Sequence, residues 1–172
     1  MTALPDYDSP LVLKAFLDSR EMAMQKKFGQ NFLINRTSRE RLVDALGIVP
    51  GMTVWEIGPG LGAMTKEILD RGADLSVFEI DRGFCAALTD FFGETKNFTL
   101  VAGDVLKNWK PLAERCGVPD RLFGNLPYNI AAAILGDMIS DGTRFDMVVV
   151  TVQKEVALRM LAKPGTEDYS SF

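Results

Sequence analysis

Histidine is absent from the 172 residues, and cysteine occurs only as Cys85 and Cys116. The first absence removes Ser-His-Asp and Cys-His catalysis together with every His-ligated metal site. Two widely separated thiols make neither a metal cluster nor a disulfide scaffold, so both read as packing residues of a reducing compartment. Long apolar runs are missing as well. The longest near-continuous one, Met147-Val148-Val149-Val150-Thr151-Val152, is far short of the roughly 20 residues that span a bilayer. The first twenty residues carry Asp6, Asp8 and Asp18 and no apolar stretch behind a basic start, which is not the pattern of a secretory signal. These absences lead to the expectation of a cytoplasmic chain with no metal and no membrane partner. Positive charge is also in deficit: 19 basic residues against 23 acidic ones give a net charge of −4. A nucleic-acid partner would have to be met through a local patch. One stretch qualifies, Arg20–Arg41, with six basic and two acidic side chains.

What remains is an ordinary globular composition, 47% hydrophobic and 24% charged, at a length close to the roughly 150 residues of one domain. Residues 1–24, with Pro5, Pro10 and a weak helical pattern over Leu11–Met24, read as an N-terminal extension, and residues 25–172 as the functional domain. Thr37-Ser38-Arg39-Glu40 has the form of a capping box ahead of a helix that stops at Gly47. Strands are expected at Thr53–Ile57, Leu75–Ile80, Phe98–Val101, Arg121–Phe123 and Phe145–Val152, each apolar enough to be buried on both faces. Helices are expected between and after them, at about 62–71, 82–92, 109–115, 130–139 and 153–162. This alternation predicts an α/β fold of right-handed βαβ units, a parallel sheet with helices on both faces. Ligands of such sheets bind beyond the carboxyl ends of the strands.

The informative residues fall at those ends. Glu56-Ile57-Gly58-Pro59-Gly60-Leu61-Gly62-Ala63 follows the first strand and opens a helix, and its glycines allow a sharp turn and close approach to a ligand. Glu79, in Phe78-Glu79-Ile80-Asp81, ends the second strand at the spacing of a carboxylate that accepts from ribose hydroxyls. Together they imply a nucleoside cofactor without choosing between a nicotinamide dinucleotide and other nucleosides. Gly103-Asp104-Val105 ends the third strand, where an acid can reach an adenine amino group. Asn125-Leu126-Pro127-Tyr128-Asn129-Ile130 ends the fourth. It combines an amide acceptor, a rigid proline and an aromatic face on which an extruded base can stack.

Taken in order, Phe28-Gly29-Gln30-Asn31-Phe32-Leu33, Glu56–Gly62, Glu79, Asp104 and Asn125–Tyr128 resemble the S-adenosylmethionine-dependent rRNA adenine N6-dimethyltransferases, of the KsgA type. The resemblance runs from about Gln25 to the last residue. Gly124–Ile130 and Gln153-Lys154-Glu155-Val156 favour the small-subunit rRNA enzymes over relatives that methylate large-subunit rRNA. It implies a Rossmann-like methyltransferase fold and a catalytic group of Asn125, Leu126, Pro127 and Tyr128. It also implies a cofactor site in which Asn31 and Leu33, with Gln30 beside them, close over the methionine side. In that site Glu56, Gly58 and Gly60 approach the same portion, Glu79 and Ile80 meet the ribose, and Asp104 and Val105 meet the cofactor adenine. Asn125 then sits where the methyl group meets the target amine. The implied partner is small-subunit rRNA within a pre-ribosomal particle, bound by a monomer when full length. Relatives continue past Tyr169-Ser170-Ser171-Phe172 with two more strands and a helical domain, so the chain is expected to be a truncated form. Its sheet would then be incomplete, with 145–152 as an edge. A large-subunit rRNA methyltransferase, a nicotinamide enzyme and an rRNA-binding assembly factor without turnover are the alternatives.

Overall fold

The computed structural model describes residues 3–20, 22, 33–125, 128–152, 154–167 and 169, with the backbone alone at 128–130. Five strands form one parallel sheet: β1 (Thr53–Ile57), β2 (Asp74–Glu79), β3 (Phe98–Ala102), β4 (Arg121–Asn125) and β5 (Met147–Thr151). Their spatial order is β3-β2-β1-β4-β5. Helix α1 (Pro10–Ser19) and helix α2 (Arg36–Asp44) precede the sheet. The connecting helices are α3 (Ala63–Asp70), α4 (Arg82–Phe92), α5 (Val105–Cys116) and α6 (Tyr128–Ser140), and α7 (Lys154–Leu161) follows β5.

The two-residue period of the strands divides the interior into two cores. Val54, Leu75, Val77 and Phe123 face the first, with α1 to α4. Trp55, Ile57, Phe78 and Leu122 face the second, with Trp109 of α5 and Ile134 and Met138 of α6. The Trp109 indole N–H donates to Asp137 at 2.8 Å, so even the polar atom of this buried ring is satisfied across α5 and α6.

Burial on both faces holds for the central strands β1, β2 and β4. It does not hold for β3 and β5, which have one neighbour each and leave Thr99 and Ala102 of β3 and the first two residues of β5 in solvent. Met147 and Val148 of β5 are 44% and 38% exposed. The helix at 36–44 also begins earlier than the expected capping box. Its N-cap is Asn35, whose side chain accepts from the Ser38 N–H at 2.8 Å, while Glu40 pairs with Arg36. Asparagine is the stronger cap, and Glu40 is no longer available to close a box. Likewise α5 starts at Val105 and not at 109, because the Asp104 carboxylate caps the Leu106 N–H at 3.0 Å.

Residues 3–20 pack on the first core through α1, where Leu13 and Leu17 are buried, each contributing about 1.5–3 kcal/mol. Ahead of α1, the Tyr7 hydroxyl donates to the Leu61 carbonyl at 2.8 Å. Asp8 pairs with the buried Arg39, whose guanidinium also donates to the Leu33 carbonyl at 2.9 Å. The N-terminal segment therefore braces the turn after β1 and the entry to α2.

Beneath that turn lies a buried acid. Glu56 is fully enclosed in β1 and accepts from the Thr65 hydroxyl at 2.7 Å. Loss of solvent, reinforced by the charge of Glu79 and opposed by the Thr65 bond, pushes its pKa from 4.5 up to about 8. Burial likewise raises the Tyr7 phenol well above its ordinary value, with Glu56 adding to the shift and Arg39 opposing it. A folded-state pKa above the unfolded value means that the native state holds a proton that unfolding releases. Stability is therefore lost as pH rises from about 4.5 to about 8. Glu56→Gln keeps an acceptor for Thr65 and removes this dependence. Urea unfolding between pH 5 and 8 is expected to show the difference in stability moving in favour of the variant by about 1.4 kcal/mol per pH unit. A pH-independent difference would show that Glu56 is ionised in the folded protein.

Candidate functional site

The carboxyl ends of β1, β2, β3 and β4 bring together four of the predicted motifs. Register pairs Ile57 of β1 with Gly124 of β4, so the turn after β1 starts beside Asn125. The approach is close: a Cβ at Gly58 would stand 3.8 Å from the Asn125 carbonyl oxygen. Gly58 also has φ 70°, a region that L side chains rarely adopt. Four residues on, at Gly62, space is added to conformation, since its φ of 84° is also one that L side chains rarely adopt. A Cβ on Gly62 would meet the Phe92 ring at 2.6 Å, so only glycine lets the start of α3 pack on α4.

Glu79 ties this turn to the end of β2. One carboxylate oxygen accepts from the Gly60 N–H at 3.1 Å and the other from the Asp81 N–H at 2.9 Å. The Glu79 carbonyl accepts from the Gly103 N–H at 2.7 Å, joining the end of β3 to the same corner. Burial raises the Glu79 pKa, and the N–H groups of Asp81, Gly60 and Ile80 hold it back by stabilising the charged form. Next to it Ile80 is 51% exposed, an apolar surface at the rim of the corner.

The other predicted residues divide by where their side chains go. Asp104 is half-buried, spends one oxygen capping α5 and receives the Asn108 amide on its carbonyl at 2.7 Å. Val105 is packed in the second core, leaving its main chain at this edge. Glu56 lies beneath the turn, directed at Thr65. Leu33 packs against the first core. Gln30, Asn31, Leu126, Pro127 and the Tyr128 side chain lie outside the described residues.

At Asn125 the side-chain oxygen accepts from the Thr151 hydroxyl at 2.5 Å, across the register pair that joins β4 to β5. Thr151 was not singled out from sequence, and neither were Tyr7 and Thr65. The one available signal was local: Thr151 is the sole hydroxyl inside an otherwise apolar strand.

Of the basic stretch 20–41, Arg20 pairs with Asp90, Arg36 with Glu40 and Arg39 with Asp8, and of these three cations Arg39 is the buried one. A separate hollow of about 270 Å³ opens at the amino ends of the strands, lined in part by Asp74, Lys96, Asn97 and Cys116. It contains none of the motif residues. Among the described residues no group of three or more His, Cys, Asp or Glu is placed to hold a metal ion, and no helix is long and apolar enough to cross a membrane.

Comparison with known proteins gives a consistent assignment. Ribosomal RNA small subunit methyltransferase A of Treponema denticola is 50% identical over 170 residues, 98% of this chain and 58% of that protein. The protein of the same name from Borreliella burgdorferi is 42% identical over 97% of this chain and 58% of its own length. The chain thus spans under two thirds of these relatives. Among solved structures, a dimethyladenosine transferase from Plasmodium falciparum superposes with a TM-score of 0.68 at 28% identity, covering 79% of this chain and 48% of that one. The 23S rRNA methyltransferase ErmE superposes with a TM-score of 0.60 at 26% identity, covering 75% and 50%. Residues 22–172 match the family described as Ribosomal RNA adenine dimethylase. With this match added to the strand order and the glycine turn, the chain belongs to the ribosomal RNA adenine dimethylase family.

Proposed function

We propose that the protein transfers methyl groups from S-adenosylmethionine to N6 of adenines in small-subunit rRNA, twice on each base. The observation that carries this reading is the apposition of Gly58 and Asn125 at the point where the strand order reverses. It puts a cofactor turn and a substrate acceptor on two sides of one crevice. The small-subunit target is supported by the relatives at 50% and 42% identity, both named for that subunit, against 26% for the 23S enzyme. In this reading residues 25–172 carry the methyltransferase domain. The protein works in the cytoplasm as a monomer on a pre-ribosomal particle.

The residues present fit the cofactor. The turn at Gly58 has no Cβ to keep a ligand from the backbone, Glu79 is held as an acceptor at the corner, and Ile80 offers apolar surface beside it. Glu79 would accept from the ribose hydroxyls. Ile80 would flank the same sugar, Asp104 and the Val105 main chain would meet the cofactor adenine, and Gln30, Asn31 and Leu33 would cover the methionine portion. Glu56 supports the turn from below. When bound, S-adenosylmethionine supplies an electrophilic methyl group.

The chain's own work is to present the amine. The N6 lone pair of adenine is delocalised into the ring and is a weak nucleophile. On the unmethylated base, acceptors at the Asn125 side chain and the Leu126 carbonyl would take both N6 protons, localise the lone pair and aim it for in-line attack, with Pro127 fixing the turn and Tyr128 stacking on the base; for the second transfer one acceptor would hold the single proton left. No strong base is needed beforehand, because the amine becomes acidic only as the new N–C bond forms.

Two outcomes test the assignment. Glu79→Ala removes charge-assisted hydrogen bonds worth about 1.5–3 kcal/mol, so titration calorimetry with S-adenosylhomocysteine should show affinity falling ten- to a hundredfold. An unchanged Kd would sink the ribose role. Asn125→Ala should lower methyl incorporation into undermethylated small subunits by roughly a hundredfold or more, with S-adenosylhomocysteine affinity within a few fold of wild type. Near-normal turnover would refute the acceptor mechanism.

A further inference from the structure

Residues 58–62 hold three glycines, so the chain by itself does not keep the turn after β1 in one shape. Polar contacts from two other segments restrain it. One comes from Glu79, whose carboxylate takes the Gly60 N–H and is also the group assigned to the ribose, so the ligand shares it. The other comes from Tyr7, whose hydroxyl donates to the Leu61 carbonyl at 2.8 Å and has no part in the ligand contacts described above. That carbonyl stands one residue ahead of the α3 ladder, which starts where the Gly62 carbonyl receives the Lys66 N–H at 3.0 Å. Tyr7 therefore fills an acceptor that the helix does not use. A carbonyl can only accept, and burial keeps the phenol protonated by raising its pKa, so the sense of the bond is fixed.

Tyr7 is itself held in place. Asp8 pairs with the buried Arg39 at 2.5 Å, Leu13 and Leu17 of α1 are buried in the first core, and Arg20 reaches Asp90 of α4 at 2.6 Å. Arg39 also donates to the Leu33 carbonyl at 2.9 Å, so the Tyr7–Asp8 stretch is tied to a second part of the predicted cofactor site. Tyr7, Asp8 and α1 all lie ahead of residues 22–172, which match the family.

We infer that Tyr7 is a positioning residue for the cofactor: its hydroxyl holds the turn at residues 58–62 in the binding shape before the ligand arrives, and the N-terminal segment is thereby a working part of the site. This rests on the reading of that turn as the seat of the cofactor. Without the bond the buried Leu61 carbonyl has lost its donor, the turn relaxes, and binding must first restore the competent shape. The cost falls on affinity and not on the transfer step, because the bound cofactor itself returns the turn to place.

The test compares Tyr7→Phe, which removes only the hydroxyl, with Ile134→Val and Glu79→Ala in the complete protein. Ile134 is buried in the second core, on the other face of the sheet, so its variant lowers the thermal midpoint without touching the turn. In Tyr7→Phe the Kd for S-adenosylhomocysteine and the KM for S-adenosylmethionine are expected to rise together, about three- to tenfold, as loss of one neutral hydrogen bond would give. The kcat at saturating cofactor and the KM for undermethylated small subunits should stay within twofold of wild type. Ile134→Val should bind S-adenosylhomocysteine as wild type does. A second measurement needs no turnover: the Gly62 N–H, bonded to the Pro59 carbonyl at 2.9 Å, should exchange with solvent faster in ligand-free Tyr7→Phe and recover when S-adenosylhomocysteine saturates the site. An unchanged Kd in Tyr7→Phe beside a weakened Glu79→Ala would overturn the inference and leave the cofactor site standing. Equal weakening in Ile134→Val, or a loss confined to kcat, would overturn it too. Wild-type binding in both Tyr7→Phe and Glu79→Ala would overturn the reading of the site, and the inference with it.

Discussion

The parallel pairing of β1 with β4 is the constraint on which the site depends. After β3 the chain returns across the sheet to lay β4 on the free side of β1, so the strand order reverses between these two neighbours. Helix α3, leaving β1, covers the first core, and α6, leaving β4, covers the second. Two adjacent strands thus send their chains to opposite faces of the sheet, and the crevice between the departing segments follows from topology alone. The residues that occupy it, Gly58 on one side and Asn125 on the other, need only be the right types at the ends of their strands.

A crevice made in this way has loose lips unless something holds them, and three contacts hold the turn after β1. Glu79 receives the Gly60 N–H, Tyr7 donates to the Leu61 carbonyl, and Gly62 lets α3 close on Phe92. They come from β2, the N-terminal segment and α4, so the turn is fixed from three directions. Holding a carboxylate in a buried corner costs free energy. Hydrogen bonds from backbone N–H groups to an ion, each worth about 1.5–3 kcal/mol, offset that cost. The result is a turn organised before any ligand arrives, which spares binding the entropy of ordering it.

The order of elements was legible in the sequence because a buried parallel strand is an apolar run with a turn at its end, and β1 and α4 fall on the expected residues. What failed were details set by neighbours. Burial of β3 and β5 depends on their being edges, which their own composition does not announce. The start of α2 was misplaced because Asn35, a stronger cap, lay two residues ahead of Thr37. The placement of Gly58, Glu79, Asp104 and Asn125 at one edge of the sheet was legible because each ends a strand in a short motif. Val105 and Glu56 come from the same motifs, yet their side chains turn into the interior, since a motif fixes where the backbone is and periodicity decides which face a side chain takes. Tyr7, Thr65 and Thr151 were invisible for a different reason: each matters through a partner 54, 9 or 26 residues away.

The choice of an amide at position 125 follows from what surrounds it. Glu56 and Glu79 already crowd buried carboxyl groups against the turn, and each pushes toward the protonated state. Residue 125 is two positions along the β1–β4 ladder from the partner of Glu56. A third carboxyl there would add to that crowding. It would tend to take up a proton and turn from an acceptor into a hydroxyl donor. Asparagine accepts without ionising, so its acceptor strength does not depend on pH. An amide has a donor end as well, however, and avoiding the unwanted charge creates a problem of orientation that a carboxylate does not have. The Thr151 hydroxyl donates to the amide oxygen from the neighbouring strand, at the register position that pairs with residue 125.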